Sequence, residues 1–141
     1  MKNPIRQIVS ILSLVLVASM LVGCQGPAKV QRYGAVIGVQ PEKLAYYKEL
    51  HANPWPSVNE AVSKANITNY SIYLTQFDDG HWYLFGYFEY VGDDFDADMK
   101  KMADDPETQR WWDWMMPMQQ PREDRAEGEW WLEMNEVFHL D

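Results

Sequence analysis

The amino-acid sequence predicts an α+β fold of the ferredoxin-like kind, a sandwich in which strands and helices follow the order βαββαβ. The first observation is apolar alternation with a period of two residues in separate segments, which indicates strands of a sheet. The second is helical spacing of apolar residues in the stretches between those segments. The third is a length of 141 residues with 47% apolar content, which suits one domain with one core.

The first half of the domain reads as a strand followed by two helical segments. Alternating residues from Tyr33 to Val39 predict the strand. Pro41 then opens a helix, since proline suits a first turn, and the stretch Pro54–Pro56 must end it and bend the chain. Ser57 to Glu60 resembles a capping box and predicts a second helical segment that ends at Asn66. One side of the first helix carries Leu44, Tyr47, Leu50 and His51.

A hairpin is predicted next. Asn69 to Gln76 and Trp82 to Val91 both alternate like strands, and the turn residues Asp78, Asp79 and Gly80 join them. Antiparallel neighbours connected by so short a turn pair directly, so these two segments should lie side by side in the sheet.

The second half continues with helical spacing from Phe95, followed by Asp105 and Pro106, which open a further helical segment. That segment carries Trp111, Trp112 and Met115. Pro117 to Gly128 is predicted to be a polar loop. Trp130 to Leu140 is predicted to contain the last strand, which we place at Asn135 to Leu140.

The N-terminus has the features of a bacterial export signal. Lys2 and Arg6 precede an apolar run from Ile8 to Val22, which at 15 residues is shorter than the roughly 20 that a spanning helix needs. Leu21-Val22-Gly23-Cys24 resembles a lipobox, and Cys24 is the only cysteine. We therefore expect residues 1–23 to be removed, Cys24 to carry lipid, residues 24–30 to form a tether and residues 31–141 to form the domain. The product would be exported and lipid-anchored to a bacterial membrane, the outer one in a two-membrane cell.

The net charge of the chain restricts the classes of partner that it can bind. A formal net charge of −9 disfavours nucleic acid, because phosphate binding needs a basic surface. Loss of the signal removes two positive charges, so the exported part would carry −9 − 2 = −11. Membrane contact is therefore expected only through the lipid at Cys24.

The sequence predicts no metal site. His51, His81 and His139 lack the spacing of metal ligands. Asp94 to Asp98 resembles a calcium loop, but a methionine stands where the loop needs glycine and an aspartate where it needs glutamate. These acidic residues are better explained as the favourable first turn of a helix.

Candidate site residues lie on and near the first helix. Tyr47 and His51 are four residues apart, so a helix places the phenol and the imidazole on one face beside the bend at Pro54. Either could be an ordinary residue of a helix face. Tyr70, Trp111 and Trp112 could be core aromatics, although sugars also favour such residues, because the C–H face of a pyranose packs on an indole.

Four separated motifs resemble those of the L-rhamnose mutarotase family. They are Tyr47-x-x-x-His51-x-x-x-Trp55-Pro56, then Asn69-Tyr70-x-Ile72-Tyr73-Leu74, then Gln109-Arg110-Trp111-Trp112, and Glu136-Val137-Phe138 near the end. Their order and rough spacing agree with that family over about Tyr33 to Leu140.

The resemblance implies an aldose 1-epimerase that interconverts the α and β anomers of L-rhamnose or a similar neutral or deoxy sugar by acid/base ring opening, without a cofactor. It implies that His51 is the proton donor, that Tyr47, Tyr70, Trp111 and Trp112 contact the monosaccharide, and that two copies form a homodimer with facing sheets, a dimeric α+β barrel. An imidazole suits this chemistry, because both of its protonation states are populated near neutral pH.

Two other functions stay open from the sequence. A non-catalytic lipoprotein could bind sugar in the same aromatic pocket, although binding alone does not require an ionisable pair. A haem or small-aromatic monooxygenase could also use paired domains of this fold, with a lone histidine as the iron ligand.

Overall fold

A computed structural model describes residues 29–140 of the chain. The predicted signal segment, residues 1–23, and the predicted lipid-bearing Cys24 lie outside the described residues. Within residues 29–140, no helix is both long enough and apolar enough to cross a membrane.

The described chain folds into one antiparallel sheet and four α-helices, which confirms the predicted α+β class. The elements in chain order are β1 (Gln31–Val39), a 3-10 turn (Pro41–Lys43), α1 (Leu44–Ala52), α2 (Pro56–Lys64), β2 (Ile67–Gln76), β3 (Trp82–Tyr90), α3 (Phe95–Asp104), α4 (Pro106–Met115), a second 3-10 turn (Met116–Met118), β4 (Gln119–Gln120) and β5 (Leu132–Met134).

The sheet has the strand order β2-β3-β1-β4, and β5 also pairs with β1. The predicted hairpin is present, with Leu74 opposite Leu84 and a register shift between Thr68 and Ser71. Leu84 in turn lies opposite Ile37 of β1. Side chains alternate between the faces of a strand, so these three apolar residues mark the face that the helices cover.

The helices begin and end where the prolines and acidic residues stand. α1 ends at Ala52 and α2 begins at Pro56, which confirms the predicted bend. The predicted capping box at Ser57–Glu60 is wrong: Trp55 is the N-cap residue and makes no side-chain capping bond. The fixed φ of proline suits the first helical position, so the helix starts two residues earlier than predicted.

Aspartates cap the next two helices. The Asp94 carboxylate accepts a hydrogen bond from the Ala97 amide at 3.1 Å, and the Asp105 carboxylate accepts one from the Thr108 amide at 2.8 Å. Each bond satisfies an amide that has no partner within its helix. The acidic run at Asp94 therefore starts a helix, as the sequence analysis favoured.

The last strand differs from its prediction. It spans Leu132–Met134, where Met134 lies opposite Gly34 of β1, and residues 135–140 are irregular and exposed. Two residues further along the same register, Arg32 and Glu136 form an ion pair at 2.7 Å. Contact between β1 and the C-terminal segment thus continues through side chains after the backbone pairing ends.

A short strand replaces the start of the predicted polar loop. Gln119 and Gln120 pair with Val39 and Gly38 of β1. A Cβ atom at Gly38 would lie 2.9 Å from the carbonyl oxygen of Gln120, so only glycine admits so close an approach. Burial of the preceding Met118, which is 2% exposed, draws this segment onto the sheet edge.

The core lies between the helix-covered face of the sheet and helices α1 and α4. Its buried members come from strands, helices and the second 3-10 turn, and they are Ile37, Val39, Tyr47, Leu84, Trp111, Met115 and Met118. Two of the predicted site residues, Tyr47 and Trp111, therefore belong to the core.

A buried carboxylate ties α3 to the sheet. Asp98 accepts hydrogen bonds from Asn66 at 2.7 Å, from the Tyr90 hydroxyl at 2.8 Å and from Lys101 at 2.9 Å. These donors, Lys101 first, hold the pKa of Asp98 at about 2, below its usual 3.8. Because every donor favours the ionised form, the carboxylate stabilises the fold while it is charged.

We expect Asp98→Asn to lower the free energy of unfolding at pH 7, because an amide cannot accept all three donors. The stabilisation by the carboxylate is fully present above pH 3.8 and is lost as the pH falls through about 2. Urea unfolding measured from pH 7 to pH 2 should therefore show that the difference in free energy of unfolding between the parent and the variant becomes smaller as the pH falls. The exposed Asp93→Asn serves as control, and a difference between parent and Asp98→Asn that does not change with pH would contradict this account.

Candidate active site

A cavity of about 460 Å³ lies between the helices and the covered face of the sheet. All five side chains predicted to bind or transform a ligand line it. Its lining residues are Tyr47, His51, Tyr70, Ile72, Met102, Trp111, Trp112, Met115, Met116, Gln119, Gly128, Trp130 and Trp131. No charged side chain is among these described lining residues, so the cavity suits a neutral ligand.

The Tyr47 and His51 rings stack on each other, as their helical spacing predicts. Their centroids are 4.1 Å apart and the ring planes differ by 25°. His51 Nδ1 lies 2.9 Å from the carbonyl oxygen of Tyr47. A carbonyl can only accept, so Nδ1 donates its hydrogen there and Nε2 keeps a lone pair for a ligand.

The environment of His51 favours the neutral imidazole. Removal from solvent lowers the pKa of His51 below its usual 6.5, and the bond to the Tyr47 carbonyl opposes part of that effect. At neutral pH the ring is therefore uncharged, with Nε2 able to accept a proton.

The two tyrosines of the cavity remain protonated at neutral pH. Burial, and next the proximity of Tyr70, raise the pKa of the Tyr47 phenol well above its usual 10.0. Desolvation also raises the pKa of Tyr70, although 49% of its surface is exposed. Because Tyr70 lines several adjoining cavities, its exposed surface faces the space that a ligand would fill. Both phenols can therefore donate a hydrogen bond.

The two neighbouring tryptophans have different surroundings. Trp111 is 7% exposed, whereas Trp112 is 37% exposed. The Trp111 ring lies edge-on to His51, with centroids 5.6 Å apart, and edge-on to Trp55 at 5.3 Å. The Arg110 guanidinium covers Trp55 at 4.5 Å from its centroid. Trp111 thus forms the inner wall of the cavity and fixes the histidine ring, while Trp112 forms a more open wall.

The sequence analysis missed the residues that close the cavity from the other side. Gln119 lies on β4, and Trp130 and Trp131 lie directly before β5. The Trp131 ring packs over Gly86, where an added Cβ would lie 3.6 Å from it. The Trp130-Trp131 doublet was the one available signal, because two large aromatics in a polar stretch indicate a contact surface.

A second cavity of about 390 Å³ adjoins the first. The two share His51, Tyr70, Ile72 and Trp111. His51 consequently stands where the two cavities meet. No group of three or more His, Cys, Asp or Glu side chains able to hold a metal ion occurs in residues 29–140.

These features define what the site can do. A neutral imidazole can accept a proton, a stacked phenol can donate one, and indole walls can hold the C–H face of an uncharged ring. The arrangement is suited to proton transfer on a neutral, hydroxylated ligand.

Comparison with known proteins places this chain in a family. A family model described as L-rhamnose mutarotase matches residues 32–140. The L-rhamnose mutarotase of Bacillus subtilis is 31% identical over 112 residues, which cover 79% of this chain and 100% of that protein. The protein of the same name from Lactiplantibacillus plantarum is 32% identical over 110 residues, 78% of this chain and 98% of its own.

The fold agrees with this relationship. The crystal structure of an L-rhamnose mutarotase from Formosa agariphila superposes with a TM-score of 0.58 at 22% identity, covering 79% of this chain and 99% of that one. Together, the match over most of the domain and the identity to the bacterial relatives show that this chain belongs to the L-rhamnose mutarotase family.

Proposed function

We propose that the protein is an aldose 1-epimerase that interconverts the α and β anomers of L-rhamnose or a similar neutral or deoxy sugar. The observation that carries this proposal is the geometry of His51, which lies with Nδ1 2.9 Å from the Tyr47 carbonyl oxygen and stacks on the Tyr47 ring beside an aromatic cavity. The names of the relatives supply the choice of sugar.

Ring opening needs one proton acceptor and one proton donor. His51 Nε2 removes the proton from the anomeric hydroxyl O1, and the Tyr47 hydroxyl delivers a proton to the ring oxygen O5. The C1–O5 bond breaks and C1 becomes the aldehyde carbon. The imidazolium and the phenolate that form are adjacent, and their attraction in a site largely removed from water offsets the cost of creating both charges.

Ring closure reverses these transfers on the other face of the aldehyde. After rotation about C1–C2, the O5 hydroxyl attacks C1 while Tyr47 takes back its proton, and the His51 imidazolium returns a proton to O1. In this second step His51 acts as the proton donor that the family resemblance implies. No atom is gained or lost, and both side chains return to their starting states.

The walls of the cavity hold the sugar during this cycle. Trp112 offers an exposed indole face for the C–H side of the pyranose, and Trp111 holds His51 in place from the core side. Tyr70 is available to donate a hydrogen bond to a ring hydroxyl. A deoxy sugar suits the cavity, because its methyl group can pack against the apolar lining that Ile72 contributes.

We also propose that two copies form a homodimer through the open faces of their sheets. Tyr73 lies opposite Phe85 in register, on the face turned away from the helices, and is 65% exposed. Phe77 packs edge-on to Phe85 at 6.0 Å, and Val137 in the C-terminal segment is 95% exposed. An apolar surface of this kind is unusual on a monomer. Light scattering at micromolar concentration should give a dimer mass, and a monomer mass would refute the arrangement.

The export signal leads to a third proposal, that Cys24 carries lipid and anchors the domain to a membrane. The support is the Leu21-Val22-Gly23-Cys24 sequence after an apolar run. Mass spectrometry of protein from a bacterial membrane fraction should find Cys24 diacylated and residues 1–23 absent. An intact N-terminal segment, or an unmodified Cys24, would exclude the anchor.

The central test is anomer exchange of L-rhamnose, measured by saturation-transfer NMR. We expect His51→Ala to lower the exchange rate by about 10²- to 10⁴-fold, the usual contribution of a general acid/base group, while sugar binding survives because the aromatic walls remain. His81→Ala, in the exposed hairpin loop, is the matched control and should exchange like the parent. Equal rates for His51→Ala and the parent, or a parent rate no faster than buffer with any aldose, would refute catalysis.

The pH dependence of the exchange rate in the same assay should show which protonation state of His51 is active. The active form is the neutral imidazole, and desolvation lowers its pKa. The rate should therefore stay level above pH 6.5 and fall only on the acid side of that value. A rate that instead declines as the pH rises from 6 to 8 would mean that the imidazolium is the starting form.

A further inference from the structure

The second cavity, of about 390 Å³, has no part in the mechanism above. Helix α2 contributes Val58, Asn59 and Val62 to its lining, and Pro54 lies at the bend before that helix. None of these four residues lines the first cavity. Protein interiors contain few spaces larger than one water molecule, and a cavity of this volume falls within the range of small-molecule sites. The space is therefore available to a part of the substrate that lies outside the first cavity.

The lining of the second cavity suits a neutral sugar. Val58 and Val62 are four residues apart on α2 and offer an apolar surface to C–H groups. The Asn59 amide can both donate to and accept from a hydroxyl. Tyr70, 49% exposed, lines both cavities, so its hydroxyl is available to a ligand in either. No charged side chain is among the described residues that line this space, which disfavours a charged ligand.

The two proton-transfer groups decide which side of the reacting sugar faces the second cavity. Tyr47 lines the first cavity and not the second, whereas His51 lines both. In the proposed reaction, Tyr47 serves the ring oxygen O5 and His51 serves the anomeric hydroxyl O1. O5 and C2 are the two ring neighbours of C1 and lie on either side of it. A ring with O5 at Tyr47 and O1 at His51 therefore directs C2 and its hydroxyl O2 towards the second cavity.

We propose that the second cavity binds a second neutral sugar that is attached through O2 of the reacting one, so that the substrates include oligosaccharides with a free reducing end. This inference rests on the proposed function and specifies the substrate class of the same site. The second ring makes no contact with O1 or O5, so it is bound equally well before and during ring opening. Binding of that kind lowers KM and leaves kcat unchanged.

The anomer-exchange assay tests this with three sugars: L-rhamnose, a disaccharide of two L-rhamnose units joined through O2 of the reducing unit, and its isomer joined through O4. We expect KM for the O2-linked disaccharide to be about 10-fold lower than for L-rhamnose, the effect of one or two added hydrogen bonds, with a similar kcat. The O4-linked isomer carries its second ring on the side opposite C1 and should show no gain. No decrease in KM for the O2-linked disaccharide, or an equal decrease for both isomers, would overturn the proposal.

Two variants locate the gain in the second cavity. Val62→Phe places an aromatic ring in the space and should abolish the preference for the O2-linked disaccharide over L-rhamnose. Asn59→Ala removes one hydrogen-bonding group and should reduce that preference about 3- to 10-fold, and it covers the case in which the larger phenylalanine prevents folding. Glu60→Phe is the matched control, because Glu60 is exposed and its position, two residues from Val62, turns it to the other side of α2. A preference that survives in both Val62→Phe and Asn59→Ala would show that the second cavity does not bind the second sugar.

Titration calorimetry distinguishes this inference from the proposed function. If the parent exchanges the anomers of neither sugar but binds the O2-linked disaccharide about 10-fold more tightly than L-rhamnose, and Val62→Phe removes the difference, the catalytic function fails and the second sugar site stands. If the parent exchanges the anomers of L-rhamnose but binds both sugars equally, the second sugar site fails and the catalytic function stands.

Discussion

The packing of Tyr47 and Trp111 in the core is the constraint on which the rest of the site depends. Both residues belong to the main apolar cluster, and both form walls of the cavity. His51 lies against both, stacked on Tyr47 with centroids at 4.1 Å and edge-on to Trp111 at 5.6 Å. The contacts that stabilise the fold therefore also fix the ring of His51, the proposed proton-transfer group, and leave it little freedom to lose when a ligand binds.

Removal of the site from solvent sets its chemistry. It lowers the pKa of His51 and raises those of Tyr47 and Tyr70, so all three groups are uncharged at neutral pH. An uncharged acceptor next to an uncharged donor suits a neutral sugar, whose reaction moves protons and leaves no net charge. The chain has a formal net charge of −9, but its charged residues lie outside the cavity, since the residues that line the cavity in the described structure carry no formal charge at this pH.

The far wall of the cavity depends on contacts between distant parts of the chain. β4 and β5 share one edge of β1, opposite Gly38–Val39 and Gly34–Val36 respectively. These short pairings bring Gln119, Trp130 and Trp131 over the opening between the helices and the sheet. The 2.7 Å bond between Trp130 and Gln119 joins the two ends of the intervening loop. The cavity is thus closed by a segment whose position follows from its pairing with β1, since it has little regular structure of its own.

The sequence by itself determined the α+β class, the central hairpin and the placement of Tyr47 and His51 on one helix face, because alternation, helical spacing and prolines are local signals. Only the tertiary structure decided that the last strand is Leu132–Met134 and that Gln119 and Gln120 form a strand, since so few residues show no periodicity and pair only because β1 offers a free edge. The tertiary structure also decided which of the neighbouring residues Trp111 and Trp112 is buried. Adjacent helical residues point about 100° apart, and only the packing of α4 against α1 and the sheet turns Trp111 into the core and leaves Trp112 exposed.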